Sequence, residues 1–180
     1  MAGDERLRLF CALRLPAEVV DRLAAWQHAE LRRVRIVPPE HLHVTLAFLG
    51  HRPAAELDLV ASGLRAAAAG GAAIRLRAKG YRETRSVGML TLTDEEERAT
   101  ALALRLHERL EAAGVYRREA RPWLPHLTVL RFHGSRPRLR PTLDSLPPEI
   151  VPSDAAVFMS RLGPGGARYE VLETVSLGGR

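Results

Sequence analysis

Pro39-Glu40-His41-Leu42-His43-Val44-Thr45-Leu46-Ala47-Phe48-Leu49-Gly50 has a counterpart later in the chain, Pro125-His126-Leu127-Thr128-Val129-Leu130-Arg131-Phe132-His133-Gly134. Both contain His-apolar-Thr-apolar, both follow a proline, and both end in a phenylalanine and a glycine. His43 and His126 stand 83 positions apart (126 − 43), close to half of the 180 residues. A comparable strand–helix stretch precedes each motif, which implies an internal duplication with one copy per lobe.

Side chains at i and i+2 of a strand share a face. His43 and Thr45 are therefore expected to project together, with Val44, Leu46 and Phe48 on the hydrophobic side. His126 and Thr128 repeat this, backed by Leu127 and Val129. Arg131 lies five residues past His126, so strict alternation turns it away unless a bulge or the strand's end brings it back. Two such strands face to face would line a cleft with two imidazoles and two hydroxyls. That set suits the opening of a cyclic phosphate. One imidazole takes a proton from water, the other protonates the departing oxygen, and the hydroxyls hold the non-bridging oxygens. Histidine serves both tasks because its unperturbed pKa is about 6.5.

Around the motifs the chain reads as strands over Leu7–Leu13, His43–Leu49, Ala73–Ala78, Val87–Thr93, His126–Phe132, Ala155–Leu162 and Tyr169–Leu177. Helices are expected over Pro16–Arg33, after Pro53 to about Gly70, and from a cap at Asp94 to about Ala113. Ser135–Ser153, rich in proline and arginine, reads as a long loop. The helices are too few for a doubly wound sheet, so the class is α+β, and residues 1–180 are expected to form a single two-lobed domain.

The composition, 46% apolar and 27% charged, is that of a globular protein. No apolar run approaches the roughly 20 residues that span a bilayer, and Met1–Glu5 lacks a signal-peptide pattern. Cys11 is the only cysteine, which fits a cytoplasmic location. The net charge of +6 favours an anionic partner. Lys79 is the only lysine, the other cations being arginine, a bias that GC-rich codon usage explains better than RNA handling does.

The paired His-x-Thr-x motifs resemble those of the two-histidine (2H) phosphoesterases. Arg6–Leu13, Val34–His43 and Pro125–Arg131 resemble the bacterial RNA 2′,3′-cyclic phosphodiesterase branch, once called 2′–5′ RNA ligases. The resemblance runs from about Arg6 to Leu177. It implies two pseudo-symmetric lobes, each an antiparallel sheet backed by helices, with a central cleft. It also implies hydrolysis of an RNA 2′,3′-cyclic phosphate to a 2′-phosphate with no metal and no cofactor. In that family's terms His43 is the proton donor, His126 the proton acceptor, and Thr45, Thr128 and Arg131 bind the phosphate. RNA with cyclic phosphate ends, or cyclic nucleotides, would be the substrates, and a monomer with no membrane contact is expected. The sequence itself does not separate the two histidine roles.

Other residues take simpler readings. His41 with His43 could start a zinc site, yet no further ligand stands at a suitable spacing, so His41 is expected at a loop or cleft rim. His51 and His133 are expected in loops, and His28 and His107 on helix surfaces. Phe48 is expected in the core, while Trp123 suits either core or base stacking. Arg136, Arg138 and Arg140 are expected to be solvated loop charges, and Tyr81, Arg82 and Arg85 to flank the cleft. Glu95, Glu96 and Glu97 suit the first turn of a helix. Two alternatives remain. One is 2′–5′ ligation by the reverse reaction in the same site. The other is a non-catalytic RNA- or nucleotide-binding module, which predicts a degraded motif where both here are intact.

Overall fold

The computed structural model describes residues 5–178, so most of Met1–Glu5 lies outside the described residues. Among the described residues seven strands form two antiparallel sheets, and three α-helices back them. β1 (Arg6–Arg14), β2 (His43–Pro53), β6 (Asp154–Gly163) and β7 (Gly166–Val175) make a four-stranded sheet in the order β2-β1-β6-β7. β3 (Arg77–Glu83), β4 (Val87–Thr93) and β5 (His126–Arg131) make a three-stranded sheet in that order. The α+β, two-lobed expectation is borne out.

The helices are exchanged between the lobes. α1 (Ala17–Glu30) follows β1 in sequence, but its Gln27 donates to the Val129 carbonyl of β5, in the other sheet. α3 (Arg98–Ala112) follows β4, but packs against β2 and against α2 (Leu57–Ala68), which lies on β6 and β7. The two strand–helix–strand units, β1-α1-β2 and β4-α3-β5, thus interlock. One buried cluster, from Leu9 and Leu13 through Leu64, Leu106 and Leu110 to Leu127 and Leu130, underlies both sheets.

Some boundaries differ from the sequence reading. β3 starts at Arg77 rather than Ala73, and only residues 84–86 join it to β4. The chain from Ala73 is held elsewhere, since Leu76 forms a bridge with Ile150. α3 begins at Arg98, so Glu95 and Glu96 precede it, and Glu97 sits in a left-handed conformation at its N-cap (φ 53°). Asp94 still caps the helix from that loop, accepting from the Thr100 amide at 2.7 Å and its hydroxyl at 2.8 Å. No helix among the described residues is long and apolar enough to cross a membrane.

Candidate active site

His43 and His126 are the first residues of β2 and β5, strands that pack side by side where the two sheets meet. The imidazoles are held alike. His43 Nδ1–H donates to the carbonyl of His41 (2.7 Å), and His126 Nδ1–H donates to that of Leu124 (3.0 Å), each two residues upstream. A carbonyl only accepts, so in both neutral rings Nδ1 carries the proton and Nε2 is left bare. The Thr45 hydroxyl donates to His43 Nε2 at 3.0 Å.

Both strands contain a bulge at the third residue after the histidine. On β2, Ala12 faces Thr45 and Cys11 faces Ala47, skipping Leu46. On β5, Met89 faces Thr128 and Gly88 faces Leu130, skipping Val129. An extra residue reverses the alternation beyond it. Leu46 and Ala47 are consequently both buried, as are Val129 and Leu130, and the next residue in each strand emerges exposed. That residue is Phe48 in the first motif and Arg131 in the second. The bulge anticipated for Arg131 is present and returns it to the face of His126 and Thr128. Phe48 corrects the expectation of a core residue. It is 49% exposed on the side of His43 and Thr45, with the Arg8 guanidinium 4.8 Å from its ring centroid.

His43 is packed in an aromatic pocket, with ring centroids 5.1 Å from Phe10, 6.2 Å from Phe158 and 5.7 Å from Tyr169. Burial there lowers its pKa to about 4, and the charges of Arg131, His41 and His126 push the same way, against the opposing bond to the His41 carbonyl. His41 lies at the rim, 4.3 Å from Tyr169 ring to ring, as expected for it. Its pKa is also lowered, chiefly by burial.

Other candidates sort as follows. Trp123 donates Nε1–H to the Thr45 carbonyl at 3.0 Å and packs on the core, bracing the approach to β5 against β2. Tyr81 corrects the expectation of a cleft residue, because it pairs across the sheet with the buried Leu90 on the core side and donates to Glu83. Arg82 pairs with Met89, which faces Thr128, so it shares the face of His126 and Thr128 two strands out. His107 also corrects its expectation, being buried rather than exposed and donating Nε2–H to the Leu46 carbonyl at 2.8 Å. His28, His51 and His133 are exposed, as are Arg136, Arg138 and Arg140.

Sequence reasoning missed Arg35. Ile36 bridges Leu130, and the Arg131 amide donates to the Arg35 carbonyl at 3.2 Å, so a short segment extends the sheet and sets Arg35 beside Arg131. No group of three or more His, Cys, Asp or Glu among the described residues is placed to hold a metal ion.

Known proteins resemble this chain in sequence and fold. An RNA 2′,3′-cyclic phosphodiesterase of Thermus thermophilus is 36% identical over 96% of this chain and 91% of its own length. One from Escherichia coli is 32% identical over 71% of this chain and 73% of its own. Among solved structures, TT0787 of Thermus thermophilus superposes with a TM-score of 0.79 at 33% identity, covering 96% of this chain and 99% of that one. E. coli LigT complexed with 3′-AMP superposes at 0.78 and 23% identity over the same shares, a likeness of fold. The family model described as the 2′-5′ RNA ligase superfamily matches residues 15–165, and with two intact His-x-Thr motifs converging from interlocked halves, the chain belongs to that superfamily.

Proposed function

We propose that this protein hydrolyses terminal 2′,3′-cyclic phosphates on RNA to 2′-phosphates, using His43 and His126 as an acid–base pair without a metal. The observation that carries the reading is the matched presentation of two bare Nε2 atoms, with Arg131 turned by its bulge onto the same face. The names of the relatives support the substrate class.

In this mechanism His126 Nε2 removes a proton from water, and the water oxygen attacks phosphorus. The bond from phosphorus to the 3′-oxygen breaks, and that oxygen takes a proton from His43 Nε2. His126 then gives its proton to solvent, and His43, neutral after donating, takes a proton from solvent when the next substrate binds. Arg131, Thr45 and Thr128 hold the non-bridging oxygens as charge builds on them. Phe48, exposed on the same face, offers a stacking surface to the terminal base. In the free protein burial keeps His43 neutral at pH 7. A bound cyclic phosphate brings a negative charge that favours the imidazolium, so the donor form belongs to the complex. One chain supplies the whole site, and action in the cytoplasm as a monomer is part of this reading. Ligation through a 2′–5′ bond would be the reverse reaction in the same cleft.

The test is an oligonucleotide ending in a 2′,3′-cyclic phosphate, with identification of the hydroxyl that keeps the phosphate. The product should be a 2′-phosphate. His43→Ala and His126→Ala should each lose activity by about 100- to 10,000-fold while keeping the native circular dichroism spectrum. Excess EDTA should leave the rate unchanged. Near-full activity in either variant, or EDTA inhibition reversed by zinc, would overturn the assignment.

A further inference from the structure

The two bulges each expose a carbonyl to the protein interior. A bulged residue is left out of the ladder, and its buried carbonyl must find another partner. The Val129 carbonyl accepts from the Val37 amide at 3.0 Å, and in both strands a buried polar side chain from the helix of the exchanged unit adds a donor. Gln27 on α1 donates Nε2–H to Val129 at 2.8 Å and to Val37 at 3.0 Å, tying the bulge of β5 to the neighbouring segment. His107 on α3 donates Nε2–H to Leu46 at 2.8 Å, at the bulge of β2. Among the described residues the buried polar or charged side chains are Gln27, His107 and Ser160, so two of the three serve a bulge. The fit at Gln27 comes with a penalty, because its Oε1 is buried without a partner. Its contribution is the pair of N–H donors.

We propose that Gln27 and His107 are matched positioning residues, each locking the bulge that turns the outermost side chain of one motif into the cleft. Gln27 acts through Arg131, and His107 acts through Phe48. The functional consequence rests on the phosphodiesterase reading above, while the geometric claim does not. Because each donor sits on a helix of the partner unit, the docking of the lobes and the aim of the site are set together.

A double-mutant cycle on 2′,3′-cyclic AMP separates positioning from bulk stability. Gln27→Met should lower kcat/KM about 10-fold in the wild-type background, and by less than about 2-fold when Arg131→Ala is already present. His107→Phe should raise KM about 5-fold alone, with little further change beside Phe48→Ala. His107→Gln keeps an N–H donor and should restore the wild-type KM, which also keeps the test open if His107→Phe does not fold. Equal losses in both backgrounds, or a lowered Tm with unchanged kinetics, would overturn the proposal. Crystal structures of Gln27→Met and His107→Gln read the geometry whatever the reaction proves to be. The first should show the Val129 bulge relaxed and Arg131 rotated away, and the second the Leu46 bulge kept. An unchanged bulge in Gln27→Met would refute positioning even if the enzyme opens cyclic phosphates, and no turnover by wild type would sink the functional reading alone.

Discussion

At the scale of single residues, His43 is held in conflict with its own proton. The ring is wedged among Phe10, Phe158 and Tyr169, and the Arg131 charge reinforces what burial does. Its folded pKa, about 4, lies below the ordinary value of 6.5, so between those limits the unfolded chain binds the extra proton. Stability contributed by neutral His43 is therefore complete above pH 6.5, is lost as pH falls towards 4, and does not change further below that. The shift corresponds to a loss on the order of 3 kcal/mol. His43→Phe keeps an aromatic ring in the pocket but cannot titrate. Urea unfolding at pH 7 and pH 5 should show a clearly smaller stability loss in His43→Phe than in wild type. The same loss in both proteins would mean that His43 is not the acid-sensitive group.

Among the elements, the three-stranded sheet shows how a strand can anchor a loop. Glu83 at the end of β3 accepts from the Arg138 and Leu139 amides and from the Tyr81 hydroxyl, and Tyr81 lies over Gly88 of the next strand. A Cβ at Gly88 would come 2.3 Å from the Tyr81 hydroxyl oxygen and 3.1 Å from Leu130 Cδ2. Gly88→Ala should therefore destabilise the protein by about 1–3 kcal/mol through overpacking. Tyr81→Phe in the same chain removes the closest atom, so the double variant should unfold at a higher urea concentration than additivity predicts. Strict additivity would show that the two positions do not touch. None of this was readable beforehand, since a Tyr–Gly contact across strands depends on register. By contrast the strands carrying His43 and His126 were legible, because alternation and flanking prolines are local signals. The same alternation failed at Phe48, where a single bulge reverses it, and the awkward spacing of Arg131 was the one clue that such bulges exist. His107 was misread for a related reason. Helical periodicity shows a polar residue but not the strand carbonyl awaiting it, which belongs to the other half of the chain.

Over the whole molecule, the exchange of helices makes one core from two repeats, and part of the surplus positive charge lies around the histidines. Nine arginines are engaged in ion pairs among the described residues. Arg8, Arg35, Arg82 and Arg131, all assigned above to the surfaces around the histidines, have no carboxylate partner among them. A cleft bordered by unneutralised guanidinium groups attracts phosphates beyond the one that reacts, and each contact formed releases counterions from the RNA. A cyclic mononucleotide carries only its reacting phosphate, whereas an oligonucleotide carries a chain of them. Raising salt from about 50 to 200 mM should therefore depress kcat/KM more steeply for an oligonucleotide with a cyclic end than for 2′,3′-cyclic AMP. Arg35→Ala should flatten the oligonucleotide slope by up to one counterion's worth and leave the mononucleotide nearly unaffected. Parallel slopes for the two substrates would show that the unpaired arginines do not follow the chain, and that the net charge of +6 acts only as a diffuse field.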